Sequence, residues 1–150
     1  MVGAARVPVG EERLMATYTL SVEIDRPYQE AVEATRAALA DQGFGILTEI
    51  DLAATMKAKL DVDLPPQVIL GACRPPLAYE AIQVDPSIAA VLPCNVVVRA
   101  LDDATTLVEA FDPDAMMGLA GADALDSVAA DAKQRLTAAL AALTAATEED

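Results

Sequence analysis

The chain has 150 residues, a length for one domain, and 54% of them are hydrophobic, enough to build a core. Twenty-four acids against ten bases leave a net charge of −14, with only two Phe and three Tyr as aromatics. Such a field repels phosphate backbones and anionic headgroups, and few rings are available for base stacking, so neither nucleic acid nor a membrane surface is an expected partner.

Histidine is absent, which removes Ser-His-Asp and Cys-His catalysis and the commonest metal ligand. Two cysteines do not make a disulfide framework. No apolar run reaches the roughly 20 residues of a bilayer span. The N-terminus lacks a basic stretch followed by an apolar one, so the expected compartment is the reducing cytoplasm.

Residues 1–14 (MVGAARVPVGEERL) carry no periodicity and read as a loose tail. Met15, just before the first patterned segment, is a candidate biological start. Residues 15–145 then form a single domain, and residues 146–150 an acidic tail.

Thr17–Ile24 alternates as a strand, with Tyr18, Leu20, Val22 and Ile24 on one face. Asp25 is the expected cap of a helix carrying Tyr28, Val32, Thr35 and Leu39, and Gly43 is its left-handed terminator. Phe44–Ile50 is a second strand, with Phe44, Ile46 and Ile50 on one face and Leu47 and Glu49 on the other. Asp51 caps a short helix with Leu52, Met56 and Leu60 in line. Lys57 lies off that stripe, and with Glu49 it is a candidate polar cluster, although a pair of solvated lysines at 57 and 59 is the plainer reading.

After the Pro65-Pro66 loop, Val68–Cys73 is apolar on both faces, as a covered strand would be. Pro75-Pro76 opens a short helix through Val84, and Asp85-Pro86 opens another turn. Cys94–Leu101 and Thr105–Phe111 form a hairpin across Asp102-Asp103. Asp112–Gly121 reads as a loop or short turn. A long helix capped at Asp123 runs to about Leu143 on the stripe Leu125, Val128, Ala132, Leu136, Leu140 and Leu143. The predicted fold class is α+β: a two-layer sandwich with a mainly antiparallel five-stranded sheet and helices on one face. The apolar centre of the other face is what a homodimer would hide.

The chemistry gathers at Leu70–Asn95, which holds both cysteines and four of the nine prolines. Cys73 precedes a helix start and neighbours Arg74, an arrangement that lowers a thiol's pKa through the helix dipole and the positive charge. Cys94 opens the next apolar strand, followed by Asn95. If the two strand ends are adjacent, Cys73 and Cys94 can act as a dithiol or carry sulfane sulfur. They can also hold a soft metal such as Cu(I) with Met116 or Met117. The competing reading, of about equal weight, is that both cysteines are small core residues. The spacing matches no C-x-x-C motif, and the glycines at 43–45 and 118–121 do not make a phosphate loop.

The same segments resemble the uncharacterised family named domain of unknown function 302. The matching pieces are Gly43-Phe44-Gly45-Ile46, Glu49-Ile50-Asp51, Lys57 with Lys59-Leu60, Leu70-Gly71-Ala72-Cys73 with Pro75-Pro76, Leu92-Pro93-Cys94-Asn95-Val96-Val97-Val98, and Asp112-Pro113 with Met116. They span about Met15 to Leu143. The resemblance implies a fold like the half-repeat of the TATA-binding protein and a homodimer, and it implies no activity. Arg74 stands where the family often has asparagine, and Asp61 where it often has glycine.

The function expected is therefore a small homodimeric ligand-binding module rather than an enzyme, with a soft-metal or sulfur-ligand site at Cys73 and Cys94. No cofactor is required by the sequence. The alternatives are a thiol-dependent redox or sulfur-transfer enzyme on the same residues, and a non-catalytic interaction protein.

Overall fold

The computed structural model describes residues 17–120 and 123–149. The expected tail at 1–14, the Met15 start and Asp150 lie outside them. The elements are β1 (Thr19–Ile24), α1 (Tyr28–Asp41), β2 (Gly45–Asp51), α2 (Leu52–Leu60), β3 (Gln67–Cys73), α3 (Pro75–Val84) and a 3-10 turn (Pro86–Val91). There follow β4 (Cys94–Ala100), β5 (Thr106–Phe111), α4 (Pro113–Ala120), a second 3-10 turn (Asp123–Leu125) and α5 (Asp126–Glu149). The five strands form one sheet in the order β1-β5-β4-β3-β2, and every neighbouring pair is antiparallel. The α+β sandwich read from the sequence is the fold.

Strand alternation decides what each face does. Leu20, Val22 and Ile24 oppose Ala110, Val108 and Thr106, and Val96 and Val98 continue those rungs on β4. This face buries Leu70, Val96, Val98, Val108 and Ala110 against Ala31, Val32 and Leu39 of α1 and Leu136, Leu140 and Leu143 of α5. Each fully buried Leu or Val side chain contributes about 1.5–3 kcal/mol, so this layer supplies most of the driving force. Among the described residues the two buried polar side chains are satisfied: Thr35 donates to the Ala31 carbonyl at 2.7 Å and Thr106 to the Arg26 carbonyl at 2.8 Å.

Across the opposite, uncovered face run Ser21, Glu109, Val97, Ile69 and Ile50 on one rung, and Glu23, Leu107, Arg99 and Gln67 on the next. Leu107 is 2% exposed even here.

Several local expectations change. The first helix does not start at Asp25: its N-cap is Pro27, without a side-chain cap, and its first bond runs from the Ala31 N–H to the Pro27 carbonyl. The residue before a proline is barred from helical geometry, so Arg26 cannot belong to the helix. In β2 a bulge between Ile46 and Thr48 shifts the register. Past it Glu49 faces the helices, and Ile50, 45% exposed, faces away, the reverse of simple alternation.

No residue of α2 is buried, and Leu60 of its supposed core stripe is 66% exposed. Within the expected loop at 112–121, Pro113–Ala120 is a helix. The Asp112 carboxylate accepts from the Asp114 N–H at 2.9 Å, the Met116 N–H bonds the Asp112 carbonyl, and Pro113 starts α4. The last helix begins at Asp126 after a 3-10 turn and continues to Glu149, past the expected fraying point at Ala145. Its buried stripe Leu125, Val128, Ala132, Leu136, Leu140 and Leu143 is as read.

Candidate functional site

The β3 and β4 ends meet a second, smaller core. It joins Leu77 and Ala81 of α3, Ile88, Met116 of α4, and Leu125, Val128, Ala129 and Ala132. Cys94 belongs to this core. Between these elements lies a cavity of about 30 Å³, lined by Cys94, Met116, Phe44 and Arg74 among others and bordered by Cys73. Its origin is in residue volume: Ala72, Ala78, Ala81 and Ala132 line it with single methyl groups where larger side chains would close it. A space of that size holds one or two water molecules or a ligand of a few heavy atoms. Arg74 is the only charged residue among the described residues of its lining.

The register separates the two cysteines. Cys94 opposes Ala72, so its side chain enters the helical layer, whereas Cys73, one residue on, turns to the other face. Both are free thiols. The expected cysteine pair is therefore not formed, because adjacent strand ends place the two on opposite sides of the pleat. Met116, 1% exposed, joins Cys94 rather than Cys73. The side chain of Met117 is outside the described residues. Among the described residues no group of three or more His, Cys, Asp or Glu is placed to hold a metal ion.

The thiols are not activated. Burial pushes the Cys94 pKa from 9.0 up to about 11, with a smaller contribution from Cys73, and burial also raises Cys73. The expected thiolate stabilisation by the α3 N-terminus fails for a structural reason. The first two helical positions, Pro75 and Pro76, have no N–H to offer, and the N–H groups of Leu77 and Ala78 both bond the Arg74 carbonyl at 3.0 Å.

The Arg74 side chain lies across Gly43. A Cβ at Gly43 would stand 3.1 Å from Arg74 Nε. Gly43 also has φ +88°, so glycine there serves both the helix terminator and the passage of the arginine. Arg74 Nε is buried and has no hydrogen-bond partner.

The remaining candidates lie elsewhere. Asn95 is exposed on the open face, in a groove with Tyr18, Thr19, Val97, Glu109 and Phe111. Glu49 pairs with Arg36 of α1, and Lys57 pairs with Asp61 and Asp63 at 3.1 and 3.2 Å. The expected Glu49–Lys57 cluster does not form, because the β2 bulge turns Glu49 toward α1. Sequence reading passed over Phe44, Leu77, Val128 and Ala132 as site residues, since an apolar residue at core spacing carries no mark of the gap beside it.

Gly71 is a close-approach position. Its register partner across β2 is Thr48, and a Cβ on Gly71 would overlap Thr48 Oγ1 and stand 2.9 Å from Pro93 Cγ. This sets how near the Pro93–Cys94 segment sits to β3.

No helix among the described residues is long and apolar enough to cross a membrane. No curated protein matches the chain. A solved structure, the crystal structure of an uncharacterised conserved protein DUF302 from Bacillus stearothermophilus, is similar at 28% identity with a TM-score of 0.78, over 85% of this chain and 99% of that one. A family model, described as domain of unknown function DUF302, matches residues 20–143, and the chain belongs to that family.

Proposed function

We propose that this chain is a small-ligand-binding module, not a thiol enzyme, and that its ligand sits against Cys94 and Met116. The observation that carries the reading is the shared cavity: a thiol and a thioether, both soft donors, border one small space in an otherwise apolar core. The raised thiol pKa values, and a lining that holds no carboxylate among the described residues, weigh against catalysis. The test is a titration with Ag(I), as a stand-in for Cu(I), and with hydrosulfide, read by native mass spectrometry and thermal shift. Wild type should take up one equivalent of at least one of them and gain stability, and Cys94→Ala and Met116→Leu should each weaken the response. A wild-type protein that responds to neither loses this function.

We also infer that two copies pair through the uncovered sheet face. Val97, Ile69 and Ile50 supply an apolar strip beside Glu109 and Ser21 on one rung, with Arg99 and Gln67 on the next, an apolar patch with a polar surround of the kind an isologous interface covers. Light scattering should give twice the chain mass at micromolar concentration, and Val97→Glu should give the single-chain mass with the fold intact. A monomeric wild type overturns the pairing.

A further inference from the structure

We propose that the cavity takes a small soft anion, of the hydrosulfide or thiocyanate class, and that Arg74 is the residue that selects it over a soft metal cation. The inference rests on the binding reading above and names the charge of its ligand.

Three observations carry it. The first is the charge of the lining. In a protein of 24 acids and 10 bases, the one charged residue among the described residues that line the cavity is Arg74, and none of them is an acid. A metal cation placed there meets a guanidinium and no carboxylate to offset it. The second is the orphaned donor. Arg74 Nε is the one buried side-chain N or O among the described residues that lacks a hydrogen-bond partner. A buried N–H of a charged group left unpaired is costly, and an acceptor ligand removes that cost. The third is the state of the sulfurs. The Cys94 thiol stays protonated at neutral pH, so it brings no negative charge of its own, and Met116 is neutral. The cavity therefore presents a cation, a weak S–H donor and a polarisable thioether. Those groups suit a polarisable anion of one to three heavy atoms, which also fits the volume of about 30 Å³.

The Arg74 side chain borders the cavity and passes Gly43. Its stem runs over Gly43, where no side chain obstructs it. Phe44, the next residue, is 5% exposed and walls the same cavity.

The test uses the full chain labelled with carbon-13 at the methionine methyls, so that Met116 reports on the cavity. Thiocyanate and hydrosulfide are titrated at constant ionic strength against chloride, with Ag(I) as the soft cation. The Met116 methyl resonance should move saturably with thiocyanate or hydrosulfide and not with chloride. Arg74→Gln should weaken that affinity by ~10-fold or more, the size expected for a charge-assisted hydrogen bond. Arg74→Lys, which keeps the charge without Nε, should fall between the two. Equal affinity in wild type and Arg74→Gln overturns the role of Arg74. A methyl that moves with Ag(I) but with neither anion overturns the inference and leaves the binding site standing. No movement with any of them removes both. Circular dichroism of each variant separates a lost ligand from a lost fold.

Discussion

Raising the pH through the range where Cys94 ionises should destabilise the wild-type protein more than the Cys94→Ala variant. In the folded chain burial holds the Cys94 thiol neutral, with its pKa pushed from 9.0 to about 11. Unfolding releases it to the ordinary value. Between those two pH values the folded state binds more protons than the unfolded one, so stability falls as pH rises, and the contribution is complete below about pH 9. At ~1.4 kcal/mol per pH unit the gap corresponds to ~3 kcal/mol lost by the time pH passes the folded value. Tyr28, whose pKa is also raised, by burial first and then by Asp51 and Glu49, titrates in the same region. The difference between wild type and Cys94→Ala cancels it. Urea unfolding at half-unit steps from pH 7 to pH 11 measures this. The wild-type minus variant stability should be flat below about pH 9 and then decline. A flat difference across the whole range, or a decline already complete by pH 8, refutes a buried neutral thiol and with it the cavity chemistry built on Cys94.

Further substitutions, at Gly71, Thr48, Met116 and Asp61, probe the frame. Gly71→Ala should cost ~1–3 kcal/mol by overpacking, since its methyl meets Thr48 and Pro93, and Thr48→Ala in the same chain should recover part of the loss in a double-mutant cycle. Met116→Ala should cost ~2–5 kcal/mol as a core truncation while Met116→Leu costs under ~1.5 kcal/mol, both from chemical denaturation. Asp61 sits in left-handed geometry at φ 55°, ending α2. Asp61→Gly should therefore stabilise the protein by ~0.5–1 kcal/mol, because the exposed bridge to Lys57 that it removes is worth little and Asp63 remains to Lys57. An unchanged or lowered melting temperature contradicts that account.

These predictions draw on different parts of what the sequence discloses. The layer arrangement was legible because β1, β4 and α5 keep strict periods: the residues at Leu125, Val128, Ala132, Leu136, Leu140 and Leu143 repeat at helical spacing and all are buried. The glycine at 43 was legible from its place after a helix, and Asp51 and the Asp102 turn from their side-chain chemistry. The β2 bulge was not, since one extra residue at Leu47 leaves no compositional trace and reverses every face after it. The same loss of register broke the expected contact between Glu49 and Lys57.

The site was half legible. Residues of Leu70–Asn95 line the cavity, and Met116 lines it with Cys94. Reading the two cysteines as a pair failed because adjacency of strand ends says nothing about pleat parity: Cys94 opposes Ala72, and that one-residue offset sends Cys73 to the other face. The expectation of an activated thiolate failed at Pro75 and Pro76, which make a good helix start and a poor N–H cluster. The position of Arg74 over Gly43, and the gap left by four alanines, depend on packing across elements far apart in the chain.

The central claim is that the cavity beside Cys94, Met116 and Arg74 is a ligand site. A crystal of the full chain soaked in selenocyanate tests it most directly, because selenium is located by its anomalous scattering. The account predicts a selenium peak inside the cavity, with an atom of the anion within hydrogen-bond distance of Arg74 Nε. A cavity without selenium, in crystals where Arg74 Nε instead bonds water or a neighbouring carbonyl, contradicts it.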